Sequence, residues 1–87
     1  MSLKKPEIGR SVIILHSSWG NGEIVEGKVG KIVYIGNIDV GIEFPFKDEG
    51  FHDSNGSGKR KQCWNFYFDN NLRDHIEYYQ PKQLELF

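Results

Sequence analysis

Three histidines, one cysteine and a run of three cations are the side chains of this chain best suited to chemistry. His16, His52 and His75 are scattered and Cys63 stands alone, with no CxxC, HxxxH or HExxH spacing. His52, Asp53 and Cys63 could gather around a zinc ion, but a structural zinc site takes four ligands at recognisable spacing. A Cys63–His52 nucleophilic pair meets a similar objection. Cys63 adjoins Trp64 in a strand-like run, where a free cysteine is most often a small buried hydrophobe. No Ser-His-Asp constellation follows from spacing. The glycine-bearing loop from Ser17 to Gly27 lacks the GxGxxG and GxxxxGK[ST] patterns of a phosphate cradle, and no helix follows it. The expectation is a chain without catalysis, metal or cofactor.

The residues speak more for binding. Lys59-Arg60-Lys61 could contact phosphates while nearby aromatic rings stack on bases. Yet Asp48, Glu49 and Asp53 share that segment, and 11 Lys+Arg against 12 Asp+Glu leave a net charge of -1. That balance excludes a generic polyanion binder. Lys4, Lys5 and Arg10 add a weaker basic patch. Trp19 sits in the small polar run Ser17-Ser18-Trp19-Gly20-Asn21-Gly22, off any apolar stripe. Such a ring reads as a partner anchor or as a lid over one end of the core. Phe46 and Phe51 read as a groove wall beside Trp19, or as pins holding a long loop to the scaffold. Aromatic residues are 14% of the chain. A domain this small buries only roughly 60–65% of its unfolded surface, so its core claims many of those rings first.

The elements that must position these groups are short strands. Five runs have strand character: Ser11 to His16, Lys28 to Ile35, Val40 to Phe44, Cys63 to Phe68 and His75 to Tyr79. Val40, Ile42 and Phe44 alternate with Gly41 and Glu43, the period of a half-buried strand. Trp64, Phe66 and Phe68 share one face of the fourth run, with Cys63, Asn65 and Tyr67 on the other. Ile76 and Tyr78 point inward from the fifth, and Leu84 plugs one end of the core. Pro45 closes the third run, because it cannot donate a ladder hydrogen bond. The segment Pro45 to Gln62 is the longest irregular one, with a turn-rich tip at Asp53-Ser54-Asn55-Gly56-Ser57-Gly58.

Eighty-seven residues make one domain, 1–87, with its core over about 9–86. Five strands with little helix predict an all-β fold, a small five-stranded SH3-like barrel with long Gly-rich loops; closure would remove the unpaired edges. An OB-fold is the alternative, but it needs a helix between strands three and four, where this chain is rich in Gly and Ser. The longest apolar run, Val12 to Leu15, is too short to cross a membrane. No apolar stretch follows the first lysines, so no signal peptide is expected. A single cysteine favours a reducing, cytoplasmic setting.

Val29-Gly30-Lys31-Ile32-Val33-Tyr34-Ile35-Gly36 followed by Val40-Gly41-Ile42-Glu43-Phe44 resembles the central hairpin of CAP-Gly domains. The long glycine-bearing loop, the aromatic strand and His75-Ile76-Glu77-Tyr78-Tyr79-Gln80-Pro81-Lys82-Gln83-Leu84 continue the likeness over roughly residues 9 to 86. KOW, Tudor and other SH3-like barrels share it less specifically. Val40 to Phe44, His52-Asp53, the glycine loop and Cys63-Trp64 are also similar to small, poorly characterised proteins associated with tailed phages. The CAP-Gly resemblance implies an aromatic groove for acidic, aromatic C-terminal tails. The loop that family uses, Gly-Lys-Asn-Asp-Gly, is matched here only at Asn55-Gly56. The resemblance therefore bears on fold more than on ligand.

The resulting expectation is a non-catalytic protein-interaction module, a monomer or weak homodimer, with a protein or peptide partner. Trp19, Phe46 and Phe51 would supply apolar area between the 17–27 and 45–62 loops, with Tyr67 and Tyr79 as neighbours. Asn55 and Lys59 would supply polar contacts. The phage likeness would make the partner a host protein that this product redirects. The alternative is a KOW- or Tudor-like nucleic-acid-binding module using Lys59, Arg60 and Lys61. The acidic-aromatic end Leu84-Glu85-Leu86-Phe87 would lie across its own barrel, or dock on a neighbouring copy.

Overall fold

The computed structural model describes residues 5–18, 24–69 and 73–80. Trp19, Leu84 and the tail Leu84-Glu85-Leu86-Phe87 lie outside the described residues. Five strands form where the alternating runs stand: β1 (Ser11–His16), β2 (Val29–Ile35), β3 (Asp39–Glu43), β4 (Cys63–Tyr67) and β5 (His75–Tyr78). They make one antiparallel sheet in the order β4-β3-β2-β1-β5. No α-helix occurs among the described residues.

The inward row of each strand is β-branched or aromatic, the side chains that pack best on a pleated surface. Val12, Ile14, Ile32, Val40, Ile42, Phe66 and Ile76 are all at or below 1% exposure, joined by Val25, Phe44 and Phe51 from the connections. Each such side chain contributes about 1.5–3 kcal/mol of burial. Register shifts between Ile14 and His16 and between Ile32 and Tyr34 mark irregularities that bend β1 and β2, so the sheet curls around this core.

The expected closed barrel is not formed, because no ladder joins β4 to β5. Some outward main-chain groups of β4, at its two ends, are taken by other partners. Cys63 exchanges both backbone bonds with His52, at 2.8 and 2.9 Å. The Tyr67 N–H donates to the Asp74 carboxylate at 2.9 Å. β5 begins immediately after Asp74 and is four residues long. A side-chain clasp thus stands where a backbone ladder was expected, and among the described residues a seam remains between the sheet's two ends.

The 45–62 connection folds back over the sheet. Phe44 N–H donates to the Gln62 carbonyl at 2.8 Å, and Gln62 Nε2 returns a bond to the Phe44 carbonyl at 2.7 Å. Beyond the His52–Cys63 bridge the chain makes a tight left-handed turn through Ser54, Asn55 and Gly56 (φ 51°, 59° and 86°). Asp53 holds that turn: its carbonyl and carboxylate accept from Gly56 N–H at 3.1 and 3.0 Å, and its carbonyl also takes Gly58 N–H. The turn lies against the outer face of β3 and β4. A Cβ at Gly41 would overlap the Ser54 side chain, and one at Gly58 would overlap Cys63 Sγ. Cys63, on the face opposite Phe66, is therefore 0% exposed.

Candidate functional site

The sequence-predicted groove residues go to different places. Phe51 is 5% exposed and stacks on Phe44 at 5.5 Å. Phe46 packs beside them, 5.3 Å from Phe44 and 5.8 Å from Phe51. Both rings pin the long connection to the core. Asn55 and Lys59 belong to the turn covering the outer face, where Lys59 N–H donates to the Glu43 carboxylate at 2.9 Å. Tyr67 pairs with Asp39, whereas Tyr79 N–H bonds to Ser11. Ser11 lies in the cross-strand row Ser11–Lys31–Glu43–Cys63, at the other end of β4 from Tyr67. The two tyrosines thus occupy opposite ends of the sheet.

The basic run does not make an unopposed patch. Lys59 and Arg60 are exposed, but Lys61 Nζ lies 3.4 Å from Glu49, and the Lys61 carbonyl accepts from Asp48 N–H. Phe46 and Phe51 are engaged with Phe44 instead of forming an exposed stacking surface. A shallow trough of about 580 Å³ runs past Lys31, Glu43, Lys59 and Gln62. It holds charges of both signs, and the Glu43 carboxylate there is already bonded to Lys59 N–H.

The open seam produces a better-defined feature. A groove of about 330 Å³ follows β4 through Trp64, Asn65, Phe66 and Tyr67. Ile38 from the β2–β3 turn, Asp39 at the start of β3, and Ser17, Ser18 and Asp74 also line it. Ile38 is 54% exposed, a large apolar side chain left wet at the groove's edge. Asp74 is 5% exposed. Its Oδ1 accepts from Ser18 N–H at 2.8 Å and from Ser18 Oγ at 3.0 Å, and its Oδ2 accepts from Tyr67 N–H. Three donors explain how a carboxylate tolerates this burial. Asp39 Oδ2 accepts from Asn65 Nδ2 at 3.1 Å, while Asn65 Oδ1 takes the Ser54 hydroxyl at 3.0 Å. Asp39 Oδ1 takes no hydrogen bond from a described residue. At the rim, Arg73 lies over the Tyr67 ring at 5.1 Å and donates to its hydroxyl at 2.7 Å.

Comparison with protein-family models, with curated proteins and with solved structures finds no match for this chain. The site therefore rests on its own geometry. Among the described residues no three His, Cys, Asp or Glu side chains are grouped to hold a metal ion, while His52 and Cys63 are brought together as backbone-paired neighbours. His52 stacks on Trp64 at 5.2 Å, and its Nδ1 accepts from Ser54 N–H at 2.9 Å. His16 pairs with Glu26 at 3.2 Å and His75 with Glu77 at 3.0 Å. Burial pushes the Cys63 thiol above its ordinary pKa, away from the thiolate a nucleophile needs.

Sequence reasoning missed Asp39, Asn65 and Asp74. Asp74 meets Ser18 across 56 residues, so no local spacing marks it. Ile38 carried a usable signal: an apolar residue between Asn37 and Asp39 in a tight turn. It has no strand face to occupy there.

Proposed function

We propose that this chain is a non-catalytic protein-interaction module of SH3-like topology, binding an extended peptide in the groove along β4. The observation that carries this reading is the seam. Exposed Ile38 and the ring of Tyr67 lie beside fixed polar groups on Asn65, Asp39 and Asp74. Apolar area with a few convergent polar groups is the usual make-up of a recognition site. The meander order β4-β3-β2-β1-β5 supports the SH3-like reading. The pairing of Lys61 with Glu49 and the net charge of -1 speak against the nucleic-acid alternative.

The test is selection from a random library of short peptides, followed by amide chemical-shift mapping of the winners. Expected are shifts at Asp39, Asn65 and Tyr67, weaker binding by the exposed-residue variant Ile38→Ala, and a change of at most a few-fold between about 50 and 200 mM salt. A library that yields no binder refutes the reading. So does binding that maps to Lys59–Lys61, or association with nucleic acid that falls steeply with salt.

A further inference from the structure

We infer that His52 is a pH-sensitive latch: its neutral imidazole holds down the 53–59 turn that covers the outer face of β3 and β4, and protonation releases that turn. This stands apart from the peptide-binding reading above.

The three histidines divide by what faces their ring nitrogens. His16 Nδ1 lies 3.2 Å from the Glu26 carboxylate, and His75 Nε2 lies 3.0 Å from that of Glu77. A proton on either ring strengthens its contact. At His52 the neighbour is a donor, because Ser54 N–H points at Nδ1 from 2.9 Å. A backbone N–H cannot accept, so this bond exists only while Nδ1 carries no proton. No described carboxylate lies within ion-pair distance of the His52 ring to favour its charged form.

The ring is fixed where it stands. The His52 backbone exchanges both its bonds with Cys63, at 2.8 and 2.9 Å, and the imidazole stacks on Trp64 at 5.2 Å. An aromatic face receives a neutral or a charged imidazole, so the stacking survives protonation. Turning the ring over sets a C–H against Ser54 N–H in place of Nδ1. The loss therefore falls on Ser54, which is 1% exposed and has no water to turn to. Ser54 also holds a left-handed φ of 51°, a conformation that persists only where its surroundings enforce it.

Releasing Ser54 loosens what it ties down. Its hydroxyl donates to Asn65 Oδ1 at 3.0 Å, and further along the turn Gly58 packs on Cys63 Sγ. The charged groups around the latch are Asp53, Glu43 and Lys59. The Asp53 carboxylate is engaged by Gly56 N–H and that of Glu43 by Lys59 N–H, while Lys59 itself is exposed. Imidazole is the side chain that ordinarily changes charge near neutral pH.

The test uses the full chain and the rate at which a dipyridyl disulfide labels Cys63 at about pH 5 and about pH 8. Each rate is divided by that of an unstructured cysteine peptide at the same pH, which cancels the titration of the thiol. The relative rate is expected to be about tenfold greater at the lower pH, the effect of one lost hydrogen bond. His52→Asn keeps an acceptor oxygen for the N–H two residues on and carries no titratable group, so it is expected to label slowly at both values. His52→Ala is expected to label fast at both. The asparagine variant retains Asp53 and Glu43, so opening in acid that persists in it overturns the inference. Equal relative rates at the two pH values in the unmodified chain also overturn it, as does slow labelling of a folded His52→Ala. If the alanine variant does not fold, the asparagine variant alone decides.

Discussion

Replacing Asp74 by alanine should remove a large share of the domain's stability. The carboxylate is 5% exposed and accepts three hydrogen bonds, from Ser18 N–H, Ser18 Oγ and Tyr67 N–H, at 2.8, 3.0 and 2.9 Å. Hydrogen bonds to a charged group contribute about 1.5–3 kcal/mol each, but those sharing one carboxylate are not additive, and Ser18 is itself exposed. A loss of about 3–5 kcal/mol is therefore expected, the usual cost of breaking a buried polar network. An 87-residue domain has about 4–13 kcal/mol in total, at roughly 0.05–0.15 per residue. With a urea slope of about 1 kcal/mol/M for so small a chain, the midpoint should fall by about 3 M or more. Asp74→Asn keeps one acceptor oxygen but turns an N–H₂ group toward a donor, so its drop should be about 2 M. It should also remove the exchange protection of the Tyr67 amide. Glu49→Ala, at a side chain 92% exposed, should stay within about 0.5 kcal/mol. A midpoint for Asp74→Ala within about 1 M of the unmodified chain, at unchanged slope, would refute the idea that this carboxylate joins the two ends of the sheet.

Two further outcomes follow from the loop and from the β5 edge. Cys63 is sealed by Gly58 and has its pKa raised by burial, so a thiol reagent should label it only when the 53–59 turn opens. Gly58→Ala crowds Cys63 Sγ and the Glu43 carboxylate, and should speed native-state labelling by about tenfold; equal rates would count against the covering turn. On β5, the hydrogen bond from His75 holds the exposed Glu77 carboxyl below its ordinary pKa. A depressed acid contributes stability above its unfolded pKa and loses it as pH falls through the folded value, so this contribution should vanish only on the acid side of the carboxylate range. A carboxyl-carbon titration by NMR should show the Glu77 midpoint moving up in His75→Ala, and an unmoved midpoint would dismiss the His75 bond as its cause.

The strands were legible because their inward rows are apolar at period two, and the predicted runs agree with the observed ones to within a residue at each end. The environment of the outer face was not. Cys63 and Asn65 alternate with Trp64 and Phe66, and alternation alone reads as a face turned to water. What covers that face is a turn arriving from the 45–62 segment. Its trace in the sequence is small residues, Gly41 and Gly58, at points of close approach. The conflict over Phe46 and Phe51 was resolved by size: a small core built around Phe44 and Phe66 stacks the loop rings against itself. Barrel closure was argued from the hazard of unpaired edges. That premise holds, but the edge of β4 is blunted by the backbone of His52 at one end and the side chain of Asp74 at the other. Pairings of that kind depend on chain geometry far from either residue and leave no periodic mark.

The seam connects folding to recognition. A β4–β5 ladder would have filled the space now lined by Trp64, Asn65 and Tyr67 and left no groove. A carboxylate that reaches across costs less space: Asp74 ties Tyr67 to Ser18 through side-chain bonds alone. The two acids of the groove then divide the work by what their oxygens already hold. Asp74, with both oxygens bonded inside the chain, belongs mainly to stability. Asp39, with Oδ2 held by Asn65 and Oδ1 packed against Gly36, is tied to its surroundings by one hydrogen bond only and is the acid that the proposed peptide would meet. Substitution at 74 should therefore register in the unfolding midpoint, and substitution at 39 in affinity. A variant at 39 that unfolded the domain, or one at 74 that weakened only binding, would show that the two tasks are not divided in this way.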